Sequence, residues 1–150
     1  MSTIAHYTGI ATNKESDRVN ISCTSDGYNL KLEGPAQFGR ANEGMTPLNA
    51  LMCTLAACKC ITARIHAEKQ GIHLNDINVS CSGVHDAAAF FGDKNAIPGF
   101  TEISTTYQIK ADNTPEEITQ FLKFVDQNCP IGCTLQNPPK MSSTLKSWTD

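Results

Sequence analysis

The chain has 150 residues, 40% of them hydrophobic and 18% charged, with a formal net charge of −3. That length and composition fit one globular domain, residues 1–150, and argue against disorder or a coiled coil. The mildly acidic balance gives no basic footprint for nucleic acid or an anionic membrane, no apolar run approaches the roughly 20 residues that span a bilayer, and residues 1–7 lack the basic region and apolar stretch of a signal peptide, so export is not expected. A cytoplasmic protein is therefore expected. Seven cysteines, an odd number, leave at least one thiol unpaired within the chain. A reducing compartment and chemistry at sulfur are the natural reading.

In chain order, a weak strand pattern covers Ile4 to Ile10. Val19, Ile21 and Cys23 alternate with polar neighbours, as do Tyr28, Leu30 and Leu32. Ser25-Asp26-Gly27 between them predicts a hairpin. A loop with Pro35, Gly39 and Gly44 follows. Thr46 then supplies a cap and Pro47 a first helical residue, and nothing breaks a helix before Gly71, so the helix is expected over Pro47 to Gln70. Leu48, Leu51, Leu55, Cys58, Thr62 and Ile65 recur at helical spacing as its apolar face. From Ala50 to Ala63 the helix is almost uncharged around its circumference, which predicts burial on all sides, with a second subunit as one possible cover.

Ile77, Val79 and Cys81 predict a strand, residues His85 to Pro98 an irregular excursion, and Ile103, Thr105, Tyr107 and Ile109 a further strand. Thr114-Pro115-Glu116-Glu117 is a capping box, opening a helix with Ile118, Phe121, Leu122 and Val125 inward and an end near Asn128. A short helix after Cys129-Pro130 and a last strand over Met141 to Trp148 complete the chain. Clustered strands with hairpin connections make this α+β, with mainly antiparallel sheets packed on a long central helix.

Two cysteines stand out. Cys58 lies mid-helix beside the small Ala56 and Ala57, on apolar ground; taken alone, such a cysteine is commonly just a small core residue. Cys129 precedes Pro130 and so occupies a helix N-cap, where the helix N-terminus lowers a thiol pKa, although a cysteine in a tight, unreactive turn fits the same residues. Cys23 and Cys81 read as strand core, and Cys53 and Cys60 as buried filler on another helix face. Cys133, four residues after Cys129, is placed to pair or compete with it. No Cys-x-x-Cys pair and no His pair at ligand spacing occurs, so no metal is expected, and neither a Gly-x-Ser-x-Gly elbow nor a phosphate loop is present. Arg18 is either an exposed strand charge or the partner of a thiolate.

The run Thr46-Pro47-Leu48-Asn49-Ala50-Leu51 through Ala56-Ala57-Cys58 resembles the Asn-Pro-Glu-(Glu/Gln)-Leu…Ala-Ala-Cys helix of the OsmC/Ohr family, and Asn128-Cys129-Pro130-Ile131 resembles its second signature. The resemblance implies an intertwined homodimer with its active site at the subunit interface. It implies a thiol peroxidase in which Cys58 is the peroxidatic and Cys129 the resolving cysteine, acting on an organic hydroperoxide with an external dithiol as reductant and no bound cofactor. An arginine eight residues before the hairpin Asp orients thiolate and peroxide in the family; counting back from Asp26 gives Arg18. One departure is plain: the family glutamate after the motif proline is Leu48 here, leaving Asn49 as a neutral acceptor or Glu43 as a substitute partner for Arg18. That departure, with the additional Cys53, Cys60 and Cys133, marks a divergent branch. It also keeps open an alternative, a dimer that senses redox state or binds a small apolar ligand without efficient turnover.

Overall fold

The computed structural model describes residues 3–147. Among them the chain is α+β, with one three-stranded and one two-stranded sheet, both antiparallel. It divides into two compact units between Cys53 and Thr54.

The first unit is a meander of β1 (Ile10–Thr12), β2 (Asn20–Ser25) and β3 (Tyr28–Glu33). The expected hairpin forms with Ser25 opposite Tyr28. Asp26 and Gly27 both take positive φ, 48° and 80°, the pairing that matches a two-residue turn to the twist of its strands. The first strand lies at Ile10–Thr12 and not over Ile4 to Ile10. Ile4 and Tyr7 are 77% and 92% exposed, so the apolar residues there have no sheet face to fill. After β3, the buried Glu33 carboxylate accepts the Asn42 and Glu43 N–H groups at 3.0 and 2.6 Å, which folds the loop back so that Leu32 pairs with Met45.

Helix α1 (Pro47–His66) starts where its cap predicts. The Asn49 N–H donates to Thr46 Oγ1 at 3.3 Å, and the Ala50 N–H to the Thr46 carbonyl at 2.9 Å. It ends at His66 and not at Gln70, because Glu68–Gln70 tighten into a 3-10 turn closed by left-handed Gly71.

In the second unit β4 (Leu74–His85) pairs antiparallel with β5 (Phe100–Ala111), and α2 (Ala87–Phe90) lies in the excursion between them. Helix α3 (Pro115–Asn128) opens with the expected capping box: the Glu117 N–H donates to Thr114 Oγ1 and the Thr114 N–H to Glu117. Helix α4 (Pro130–Gln136) follows directly. Ala63 of α1, Ala67 just after it, Ile72, Leu74, and Phe121 and Val125 of α3 form the core, backed by Ile77, Tyr107, Ile109 and Ala111. The alternation of β4 and β5 therefore meets the helical face of α3, and burying a side chain such as Phe121 or Val125 contributes about 1.5–3 kcal/mol.

Several expectations change. No strand forms over residues 141–147, where the chain is irregular and Met141 and Leu145 are more than 90% exposed; Trp148 lies outside the described residues. Within this chain α1 is not buried all round. Its buried positions are Leu55, Lys59, Thr62 and Ala63, while Leu48 is half-exposed and Ile61 and Ile65 are open, because the core covers one face only. Cys53 is exposed and not buried filler. By length and composition α1 is also long and apolar enough to cross a membrane, although no continuous apolar run foretells it. Two of its charged side chains tie it to the second unit: Lys59 pairs with Asp126, and Arg64 donates to the Leu74 and Asn75 carbonyls.

Candidate functional site

The second unit brings together the two cysteines that the sequence singles out. Cys58 is half-buried in the middle of α1, and its carbonyl accepts the Thr62 hydroxyl at 2.8 Å. Cys129 ends α3 and caps α4, with no exposed surface. The chain must turn between these helices, and Pro130 at the first position of α4 fixes that turn without wasting a backbone donor. Cys129 Sγ accepts the Gly132 N–H at 3.4 Å, and the residues on either side of it, Asn128 and Pro130, share a groove with Cys58.

The two sulfurs differ in surroundings. Cys58 lines a groove of about 490 Å³ with Thr54, Ala57, Ile61, Ile65, His66 and Pro130. Its apolar ground is thus Ala57, Ile61 and Ile65, and not the Leu51–Leu55 side of the helix. Cys129 sits behind, against Leu55 and Gly132. The expected lowering of its pKa by the helix N-terminus is reversed. Burial pushes the thiol up, the proximity of Cys58 adds to this, and the Gly132 N–H and the Lys59 ammonium pull the other way without winning.

A polar network absent from the sequence reading completes the site. Lys59 is 7% exposed; its ammonium pairs with the Asp126 carboxylate, contacts the Tyr107 hydroxyl at 3.3 Å and lies 5.6 Å from the centre of the Tyr107 ring. Tyr107 donates to the same carboxylate at 2.6 Å. Burial, followed by the Asp126 hydrogen bond, raises the Tyr107 pKa well above its ordinary range. The one available signal was Lys59 itself, the single charge between Pro47 and Ala63, but its partners lie 48 and 67 residues away and only the fold identifies them.

The remaining candidates have their own surroundings. Arg18 belongs to the first unit, at positive φ, where its guanidinium lies so close to Gly39 that a Cβ on that glycine would fall 3.0 Å from Cζ. Glu43 pairs with Lys31 and not with Arg18, because the loop that carries it folds back against β3 at Lys31 and Leu32. Cys133 Sγ donates to the Gln127 carbonyl at 3.2 Å, and Cys81 contacts the Thr105 hydroxyl. All seven thiols are free. Among the described residues no cluster of three or more His, Cys, Asp or Glu side chains is arranged to hold a metal ion.

One thiol on an apolar groove, and a second buried next to the residues that close that groove, form an arrangement suited to two-step sulfur redox chemistry. The family model for OsmC-like proteins matches residues 40–144. The hydroperoxide reductase of Mycoplasma genitalium is 29% identical over 120 residues, 80% of this chain and 81% of that protein. That of Mycoplasma pneumoniae is 29% identical over 117 residues, 78% of this chain and 79% of the other. The crystal structure of an OsmC-like protein from Mycoplasma pneumoniae aligns with a TM-score of 0.77 at 27% identity, covering 91% of both chains.

Proposed function

The chain belongs to the OsmC-like protein family, and on that premise we propose that it is a cysteine-based peroxidase reducing organic hydroperoxides to alcohols. The observation that carries the reading is the apolar groove that Cys58 shares with Asn128 and Pro130, the residues flanking the buried Cys129. In the proposed cycle the Cys58 thiolate attacks the outer oxygen of an alkyl hydroperoxide lying along Ala57, Ile61 and Ile65. The O–O bond breaks, the alkoxide leaves as alcohol on taking a proton, and Cys58 becomes a sulfenic acid. Cys129 then displaces the sulfenic oxygen, which leaves as water, and a disulfide joins the two residues. An external dithiol returns both to thiols by exchange. The hydroperoxide reductases of the two Mycoplasma species support the substrate class.

Arg18 enters the proposal on its place eight residues before Asp26, as the side chain that orients thiolate and peroxide. A homodimer enters with it: the open Ile61 and Ile65, at 58% and 64% exposure, offer a partner an apolar helical face. A reducing cytoplasm suits seven free thiols. The test is turnover of cumene hydroperoxide with a dithiol reductant, with the oligomeric state measured by light scattering. Turnover by the wild type and its loss in Cys58→Ser support the reading; equal turnover in both overturns it.

Leu48 favours a second reading. It places an apolar, half-exposed side chain where the family carries a carboxylate, which suits a redox-sensing or apolar-ligand-binding dimer. Oxidation that stops at one equivalent, with no turnover under excess dithiol, selects that reading.

A further inference from the structure

Taking an ammonium out of water costs desolvation energy that an apolar side chain does not, and the Asp126 carboxylate that pairs with Lys59 is itself half-exposed, so Lys59 in the core face of α1 calls for a reason beyond stability. Its position supplies one. Lys59 directly follows Cys58 on α1, and its partner Asp126 stands three residues before Cys129, in the last turn of α3. A single ion pair therefore ties the turn carrying one thiol to the turn carrying the other. Tyr107 of β5 braces it from the sheet side, accepting from the lysine and donating to the carboxylate. The lysine also lines a polar cleft of about 250 Å³ with Leu55, Thr105 and Gly132, on the side of α1 where Cys129 is packed.

We propose that Lys59 is a positioning residue for the second thiol: its buried ammonium, held by Asp126 and Tyr107, fixes Cys129 against Cys58 and stabilises the negative sulfur of Cys129 as it attacks. The inference rests on the peroxidase reading for the identity of the step. In that step an alkyl hydroperoxide has already oxidised Cys58 to the sulfenic acid. Cys129 gives up its proton, its sulfur attacks the Cys58 sulfur, the S–S bond forms and the S–O bond breaks. The departing hydroxide takes a proton and leaves as water, so no further oxidant is consumed.

Electrostatics gives the proposal a sign. Cys129 is buried and short of solvation, so its anion depends on nearby donors and charges. The groups that bear on it are Cys58 and Lys59 from α1, the Gly132 N–H from α4, and Tyr107 from β5. Asp126 of α3, Cys81 of β4 and Glu102 of β5 form the next layer around Lys59 and Tyr107. Lys59 is the one cation in that set, and Asp126 partly neutralises it. Removing the ammonium must therefore disfavour the Cys129 thiolate, whereas neutralising Asp126 must favour it. A lysine that merely holds the fold together predicts no such opposition.

The experiment reads Cys129 directly, by pH titration of its 13Cβ resonance in the reduced full-length chain with Cys58→Ser, so that one sulfur of the pair titrates. Lys59→Met is expected to move the Cys129 titration to higher pH and Asp126→Asn to lower pH, with Lys59→Arg staying near the wild type. Asn keeps an acceptor for both Tyr107 and Lys59, so Asp126→Asn decides the matter even if Lys59→Met fails to fold. In chains that retain Cys58, stopped-flow mixing of Lys59→Met with an alkyl hydroperoxide separates oxidation of Cys58 from the disulfide step that follows it. Disulfide formation should then be about tenfold slower, the change in thiolate fraction produced by one pH unit of displacement. An unmoved titration in a folded Lys59→Met, or an Asp126→Asn shift to higher pH, overturns the proposal. Failure of the hydroperoxide to oxidise Cys58 defeats the peroxidase reading instead, and the titrations still decide whether Lys59 governs Cys129.

Discussion

Gly132 separates two accounts of the second thiol. It is buried in the first turn of α4, its N–H donates to Cys129 Sγ at 3.4 Å, and it faces Leu55. One account needs a glycine there so that nothing crowds the sulfur; the other needs only the N–H. The structure favours the second. A Cβ built on Gly132 meets Cys129 Sγ at 3.5 Å, Cys129 Cβ at 3.6 Å and Leu55 Cδ1 at 3.8 Å, all ordinary van der Waals distances. Gly132→Ala should therefore fit without moving the thiol. Replacing glycine by alanine in a helix gains up to about 1 kcal/mol, less in a first turn. Burying the added methyl contributes about 0.8 kcal/mol more. Together the variant should be about 1–1.5 kcal/mol more stable, with a Tm a few degrees higher. Urea unfolding followed by circular dichroism measures this, and disulfide formation after a hydroperoxide pulse should proceed at the wild-type rate. A loss of stability, or a collapse of disulfide formation with the fold intact, would refute the reasoning by showing that the sulfur needs the empty space.

Three further predictions follow from particular contacts. Burial raises the folded-state pKa of Cys129, so the unfolded chain loses that proton first. Stability is then full below the free-thiol value of about 8.5 and falls as pH rises through it, until the folded thiol also ionises. The urea midpoint should drop between neutral pH and pH 10 in the wild type and less in Cys129→Ser; a midpoint that rises instead contradicts the assignment. Gly83→Ala should destabilise by about 1–3 kcal/mol, because a Cβ there falls 2.5 Å from the Phe100 ring and the ring must move; an unchanged midpoint would show that it moves freely. Ala57→Phe should fill the groove beside Cys58, slowing reaction with cumene hydroperoxide far more than with hydrogen peroxide, and equal slowing of both would place the organic substrate elsewhere.

Much of the fold was legible because local chemistry and tertiary packing agree. Thr46 and Thr114 cap the helices they were expected to open, Asp26-Gly27 turns its hairpin, and Cys129-Pro130 begins α4. Legibility failed where one-dimensional patterns carry no information about facing partners. Ile4 and Met141 look like strand residues, yet no sheet edge receives them. The apolar circumference of α1 suggested burial on every side, but Ile61 and Ile65 are exposed, and the core of the second unit does not include them. The candidate site shows the same division. Cys58 and Cys129 carry sequence signatures, whereas Lys59, Tyr107 and Asp126 are linked only by the packing of α1, β5 and α3. The sign of the Cys129 shift escaped for a related reason: an N-cap is visible in a sequence, and the desolvation that overrides it is not.

The most direct test of a Cys58–Cys129 redox pair is to treat the reduced protein with one equivalent of cumene hydroperoxide, block the remaining thiols and map the cross-linked peptides. The account predicts the loss of two thiols per chain and a single major disulfide joining Cys58 to Cys129. Oxidation of Cys129 with Cys58 left free to alkylation, or a disulfide that bypasses Cys58, would contradict it.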